Sequence, residues 1–107
     1  MNPTTKQIAK QRIQVLFQQA EKTRRENPQL ASRYIETARK IAPTDPKIPY
    51  SLAVYYSMIY DQEKNFNQKE ELKTKSINEI NIALKLKNDF VDGLNLKTDL
   101  QKKYSLN

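Results

Sequence analysis

Cysteine, histidine and tryptophan are absent from this 107-residue chain, and glycine occurs once. Without Cys or His the chain can build neither a zinc site nor a disulfide framework, and it has no thiol or imidazole catalyst. A single glycine excludes Gly-rich phosphate loops, which need several residues without a Cβ where the backbone meets phosphate. No run approaches the roughly 18–20 apolar residues of a membrane span, and the N-terminus lacks the apolar stretch of a signal peptide. The chain reads as one small soluble domain over residues 1–107, with no catalytic residue, metal or cofactor expected. It opens Met-Asn-Pro and carries elements from end to end, as an excised piece of a larger protein would.

What is present favours helix. Gln, Glu, Lys, Ala and Leu abound, and five prolines act as punctuation, at Pro3, Pro28, Pro43, Pro46 and Pro49. The spacing predicts an all-α fold of about five helices, over residues 4–25, 28–42, 46–60, 69–87 and 89–104. On the first, Ile8, Ala9, Ile13, Leu16, Phe17 and Ala20 form one apolar stripe. Asn27 is a suitable cap for the second helix, with Pro28 in its first turn, and Asp45 and Pro46 repeat that arrangement at the third. Residues 61–69 are polar throughout and read as a loop. Glu70 and Glu71 then suit the positive end of the fourth helix, and Asp89 the cap of the fifth. These carboxylates, with Asp92, invite an acid/base reading, but their polar flanks offer no desolvated pocket to shift a pKa.

An internal repeat adds architecture. Glu36-Thr37-Ala38-Arg39-Lys40-Ile41 superimposes on Asn81-Ile82-Ala83-Leu84-Lys85-Leu86, an offset of about 45 residues, and upstream Ile35 falls over Ile80 and Ala31 over Ser76. Leu52-Ala53-x-x-Tyr56 and Ala31-x3-Ile35-x2-Ala38-x4-Pro43 resemble the two halves of the tetratricopeptide repeat, whose period is about 34 residues. The longer offset is then a repeat plus an insertion at the 61–69 loop. Three positions depart from the pattern: Pro49 replaces the signature Trp, Ala53 the signature Gly, and Asn88 the second closing Pro. The resemblance implies antiparallel α-hairpins stacked as a short right-handed superhelix, with small Ala31, Ala38, Ala53 and Ala83 letting helices approach and Ile35, Tyr56 and Ile80 filling the gaps.

Two narrower resemblances bear on parentage. The second helix with the segment from Ile41 to Ala53 is similar to the soluble repeat tail of O-antigen ligase/polymerase-like membrane proteins. That implies a non-catalytic tail on the outer face of the membrane, against a default of cytoplasm. A competing similarity covers residues 8–41, which look like the helical half of the archaeal ribonuclease P zinc-ribbon subunit. That family carries zinc-binding cysteines, and this chain has none.

Charge is uneven. Residues 1–42 hold nine basic and three acidic residues and all five arginines, whereas residues 43–107 hold ten basic and nine acidic. Two partner surfaces follow. In a tetratricopeptide reading, Lys47, Tyr50, Val54, Ser57 and Met58 line a concave groove for a peptide or protein segment, acidic by preference. The leading expectation is therefore a protein-interaction scaffold. The alternative is nucleic-acid (RNA) binding through a basic patch of Lys6, Lys10, Lys22 and Arg25 on the first helix, where no aromatic residue interleaves to stack a base. Self-association through exposed repeat ends is a third expectation, with Phe90, Leu94, Leu100 and Tyr104 as the bare stripe.

Overall fold

The computed structural model describes residues 4–106, and every regular element in it is an α-helix. They are α1 (Thr5–Thr23), α2 (Pro28–Ile41), α3 (Lys47–Gln62), α4 (Phe66–Leu86) and α5 (Val91–Lys103). The all-α expectation holds. Each start has a local cause. Thr4 and Gln7 form a reciprocal capping box, the Thr4 hydroxyl accepting from the Gln7 N–H at 3.2 Å and the Gln7 side chain accepting from the Thr4 N–H at 2.8 Å. Asn27 accepts from the Leu30 N–H, with Pro28 at the first helical position. Asp45 accepts from the Lys47 N–H at 2.9 Å, which fixes the α2–α3 turn.

The 61–69 loop does not exist. Asp61 and Gln62 finish α3, Phe66–Lys69 already belong to α4, and only residues 63–65 connect them. Asn65 supplies the cap, accepting from the Gln68 N–H at 3.0 Å, and Glu63 accepts from the N–H groups of Lys64 and Asn65. Because α4 starts at Phe66, Glu70 and Glu71 lie beyond its first turn, and Glu70 instead pairs with Lys73 at 2.9 Å. Asp89 is likewise not a cap. Phe90 occupies that position of α5 without a side-chain bond, and Asp92 is the acidic residue of the first turn.

Two apolar clusters form the interior. Ala20, Ala31, Ile35 and Ala38 of α1 and α2 meet Ile48, Leu52 and Tyr55 of α3, while Ala53 of α3 joins Ile80, Ala83, Leu100 and Tyr104. Ala31, Ala38, Ala53 and Ala83 are all fully buried, so helix axes approach where no side chain stands between them. Ile35, Ile48, Leu52 and Ile80 are also fully buried, each stabilising by about 1.5–3 kcal/mol relative to exposure. The single glycine serves the same purpose. A Cβ on Gly93 would come within 3.1 Å of Phe90 and 3.2 Å of Leu84, so its absence lets α5 lie close against α4.

The C-terminal stripe expected to be bare is half core. Leu100 and Tyr104 are only 2% and 7% exposed, because α5 folds back onto α3 and α4. The Tyr104 ring meets Tyr60 edge-on at 4.9 Å, and its hydroxyl donates to Ser76. Lys103 donates to the Ser57 hydroxyl at 2.6 Å and pairs with Asp61 at 2.9 Å. Phe90 packs on Tyr50 with ring centroids 5.4 Å apart, and of the expected stripe only Leu94 is left exposed.

A polar brace joins three helices. Arg39 of α2 bonds Glu79 of α4 and reaches Glu36 one turn back, and the Tyr56 hydroxyl of α3 donates to Glu36 at 2.9 Å. Glu79 is buried, and that burial outweighs the Arg39 bond and raises its pKa above the ordinary 4.5. Burial and the bond to Glu36 likewise raise the Tyr56 hydroxyl.

Two tests follow from this packing. A carboxyl whose folded pKa is raised binds its proton more readily in the folded chain, so its contribution is favourable in acid and is lost as pH rises through the folded value. Wild-type stability relative to Glu79→Gln should therefore improve as pH is lowered from neutral through about 4.5; thermal melts that showed wild type losing ground on acidification would mean that Arg39 wins over burial. Tyr50→Ala should cost about 2 kcal/mol in denaturant unfolding through loss of the Phe90 contact, and Tyr50→Phe less than about 0.5 kcal/mol.

Candidate nucleic-acid interface

Only one residue of α1, Ala20, is buried outright. Leu16, Phe17 and Ala20 of its C-terminal half join the core, while its N-terminal half is mostly exposed and lines two clefts. On one side, Lys6 and Lys10 sit one turn apart and share an open cleft of about 760 Å³ with Asp45 of the α2–α3 turn and Lys47, the first residue of α3. Ala9, Ile13 and Phe17 supply its apolar lining, and Gln14 and Gln18 its amides. Phe17 is half-buried and packs against the core of α2 and α3 as well. An aromatic therefore does stand among the cations, contrary to expectation.

The second cleft, about 560 Å³, lies between α1 and α2 and is lined by Ile8, Gln11, Arg12, Val15, Leu16, Thr37 and Ile41. Ile8 and Val15 are 38% and 53% exposed. Arg33 and Lys40 are exposed on the same stripe of α2 as Thr37.

The four residues of the expected basic patch are all exposed, but they do not form one surface. At 1.5 Å and 100° per residue, Lys22 lies about 24 Å along α1 from Lys6 and roughly 160° around it. The Debye length in physiological salt is about 8 Å, so Lys22 and Arg25 act as a separate patch from Lys6 and Lys10. The residue that completes the Lys6–Lys10 cluster is Lys47, which sequence placed in the peptide groove. Arg24 pairs with Glu21 and Arg39 with Glu79. No carboxylate among the described residues lies within 4.0 Å of the side-chain nitrogens of Lys6, Lys10, Arg12, Lys22, Arg25, Arg33, Lys40 or Lys47.

The expected peptide groove is occupied by the protein itself. Tyr50 lies against Phe90, and burial together with Asp92 and Asp99 raises its hydroxyl pKa. Ser57 is buried beneath the Lys103 ammonium, and Val54 and Met58 pack against the α1–α2–α3 core. Lys47 alone stays exposed, and it faces the α1 cleft. Asp89 and Asp92 are exposed, and Glu70 is committed to Lys73. No helix among the described residues is long and apolar enough to cross a membrane.

Over 40 residues, 37% of its length, the chain is 50% identical to Ribonuclease P protein component 4 of Methanoregula boonei. That stretch spans 38% of the relative, so the chain covers under two-fifths of the protein it matches. No family model matches the chain, and no solved structure matches it. A relative named as a protein component of a ribonuclease overturns the expectation of a tetratricopeptide scaffold for peptides and of a glycan-ligase tail, and it turns attention to RNA. Nor does it support a chain unconnected with an enzyme, since the relative is a component of one. The zinc ribbon implied by the resemblance to that subunit finds no ligands: the chain has no Cys or His, and no group of three or more acidic residues able to hold a metal lies among the described residues. What this chain is similar to, over part of its length, is a protein component of an RNA-cleaving enzyme.

Proposed function

We propose that the chain is an RNA-binding module, working within a larger RNA-processing assembly, that holds the phosphate backbone with the cations around the N-terminal half of α1. The observation that carries this reading is the convergence of exposed Lys6, Lys10 and Lys47 on one cleft, with no carboxylate among the described residues within 4.0 Å of any of the three ammonium groups, in a chain 50% identical over 40 residues to a ribonuclease P component. Phosphates brought against these ammonium groups release condensed counterions, which makes affinity sequence-tolerant and salt-dependent. The ammonium groups are positioned by rigid elements: Lys6 and Lys10 by α1, and Lys47 by a turn that Asp45 fixes. Arg12, Arg33 and Lys40 extend the positive surface across the α1–α2 hairpin.

The test is RNA affinity as a function of salt. Each phosphate contact on a single strand contributes about 0.7 to the slope of log affinity against log salt. The triple variant Lys6→Gln, Lys10→Gln, Lys47→Gln should flatten that slope by about two units. Its three sites are exposed, so its stability should change by less than about 1 kcal/mol. Absence of RNA binding at low salt, or a slope the triple variant leaves unchanged, would overturn the reading.

A further inference from the structure

The rim and lining of the α1 cleft are not those of a plain polyanion track. Three cations suit a phosphate, but Asp45 stands on the same rim, and a carboxylate repels phosphate while accepting from hydroxyl and amino groups. The Asp45 oxygen bonded to the Lys47 N–H leaves its second oxygen available. Half-buried Phe17 adds an aromatic surface to the lining, beside apolar Ala9 and Ile13. Gln14 and Gln18, both exposed, add amides that can donate and accept at a base edge.

We propose, building on the RNA-binding reading, that this cleft holds an unpaired nucleotide of an RNA strand, with its base on Phe17, its own and the adjoining phosphates of the strand on Lys6, Lys10 and Lys47, and its hydroxyl and amino groups towards Asp45 and Gln14. Size separates this ligand from a duplex. The cleft volume of about 760 Å³ is within the roughly 300–1,000 Å³ of small-ligand sites, ample for one nucleotide. A double helix keeps its bases stacked inside and presents backbone and 2′-hydroxyls, so it would touch the lysine rim and leave Phe17 uncovered. A splayed single-strand base has a free π-face, and stacking on an aromatic is the usual way such bases gain affinity.

The experiment compares a short labelled RNA strand with the same strand annealed to its complement, by fluorescence anisotropy at one salt concentration. Wild type should bind the single strand about tenfold more tightly than the duplex. Phe17→Leu keeps an apolar side chain against the core and should remove most of that preference, weakening the single strand about tenfold and leaving the duplex unchanged. Should Phe17→Leu unfold in a thermal melt, the exposed pair Gln14→Ala, Gln18→Ala reads the same contrast, again lowering single-strand affinity alone. Equal binding of the two RNAs, unaltered by these variants, would overturn the nucleotide pocket while leaving charge-driven RNA binding standing. Failure to bind either RNA at low salt would overturn both.

Discussion

One helix has to serve two cores. The residues of α3 divide between them, with Ile48, Leu52 and Tyr55 closing against α1 and α2, and Ala53 against α4 and α5. A chain of 107 residues has too little volume for one thick core, and splitting the interior around a shared helix is one way to bury apolar surface from five helices. It requires α3 to present small and large residues on different sides, which is why Ala53 lies beside Leu52. It also rations contacts. The helix at the N-terminal edge meets the shared core along only part of its length, and α1 accordingly has one fully buried residue, near its C-terminal end. The shallow burial of the N-terminal half of α1, and the clefts beside it, follow from how the core is divided.

Helix boundaries set by short-range chemistry were legible in sequence. The cap at Asn27 and the proline beside it act within a few residues, and the structure has them where the spacing predicts, whereas at α3 the cap position falls to Pro46, without a side-chain bond, and Asp45 holds the preceding turn. The start of α4 was not legible, because Phe66, Asn67 and Gln68 are all exposed. Phe66 is 71% exposed, and its neighbours are polar, so no apolar register marks the helix. Asn65 is the one local signal, and it was absorbed into a run of residues that looked like loop. The fate of α5 was hidden for a different reason. Leu100 and Tyr104 were visible as an apolar stripe, but what covers them depends on Lys103 reaching Ser57 and Asp61, more than forty residues away in sequence.

The candidate site divides in the same manner. Lys6 and Lys10 share one face of one helix, a relation that spacing alone reveals. Lys47 belongs with them only because the α2–α3 turn comes back beside α1, and no local pattern encodes that approach. Phe17 reads as core by its spacing and is partly core in fact; its exposed remainder is what lines the cleft. Lys22 and Arg25 show the opposite error. Their nearness to Lys10 in the chain suggests one patch, whereas helix pitch and rotation carry Lys22 to the far end of α1 and away from the cleft, and Arg25 lies in the turn beyond it.

The cations of this protein fall into two working groups. Arg39, Lys73 and Lys103 are held by carboxylates, and Lys69 lies 4.0 Å from the Tyr60 ring centre while donating to the Tyr60 carbonyl. Arg39, Lys69 and Lys103 tie one helix to the next, so their charge is used internally. Most cations of α1 and α2 have no such counterpart, and with a net charge of +7 they repel one another in the folded state. Bringing them together therefore opposes folding slightly. A polyanion bound to them removes the repulsion and, by mass action, stabilises the folded chain by RT ln(1 + [L]/Kd), about 2.7 kcal/mol at a hundredfold excess over Kd. On the proposed reading, the same unpaired charge that opposes folding favours a ligand that brings negative charge with it.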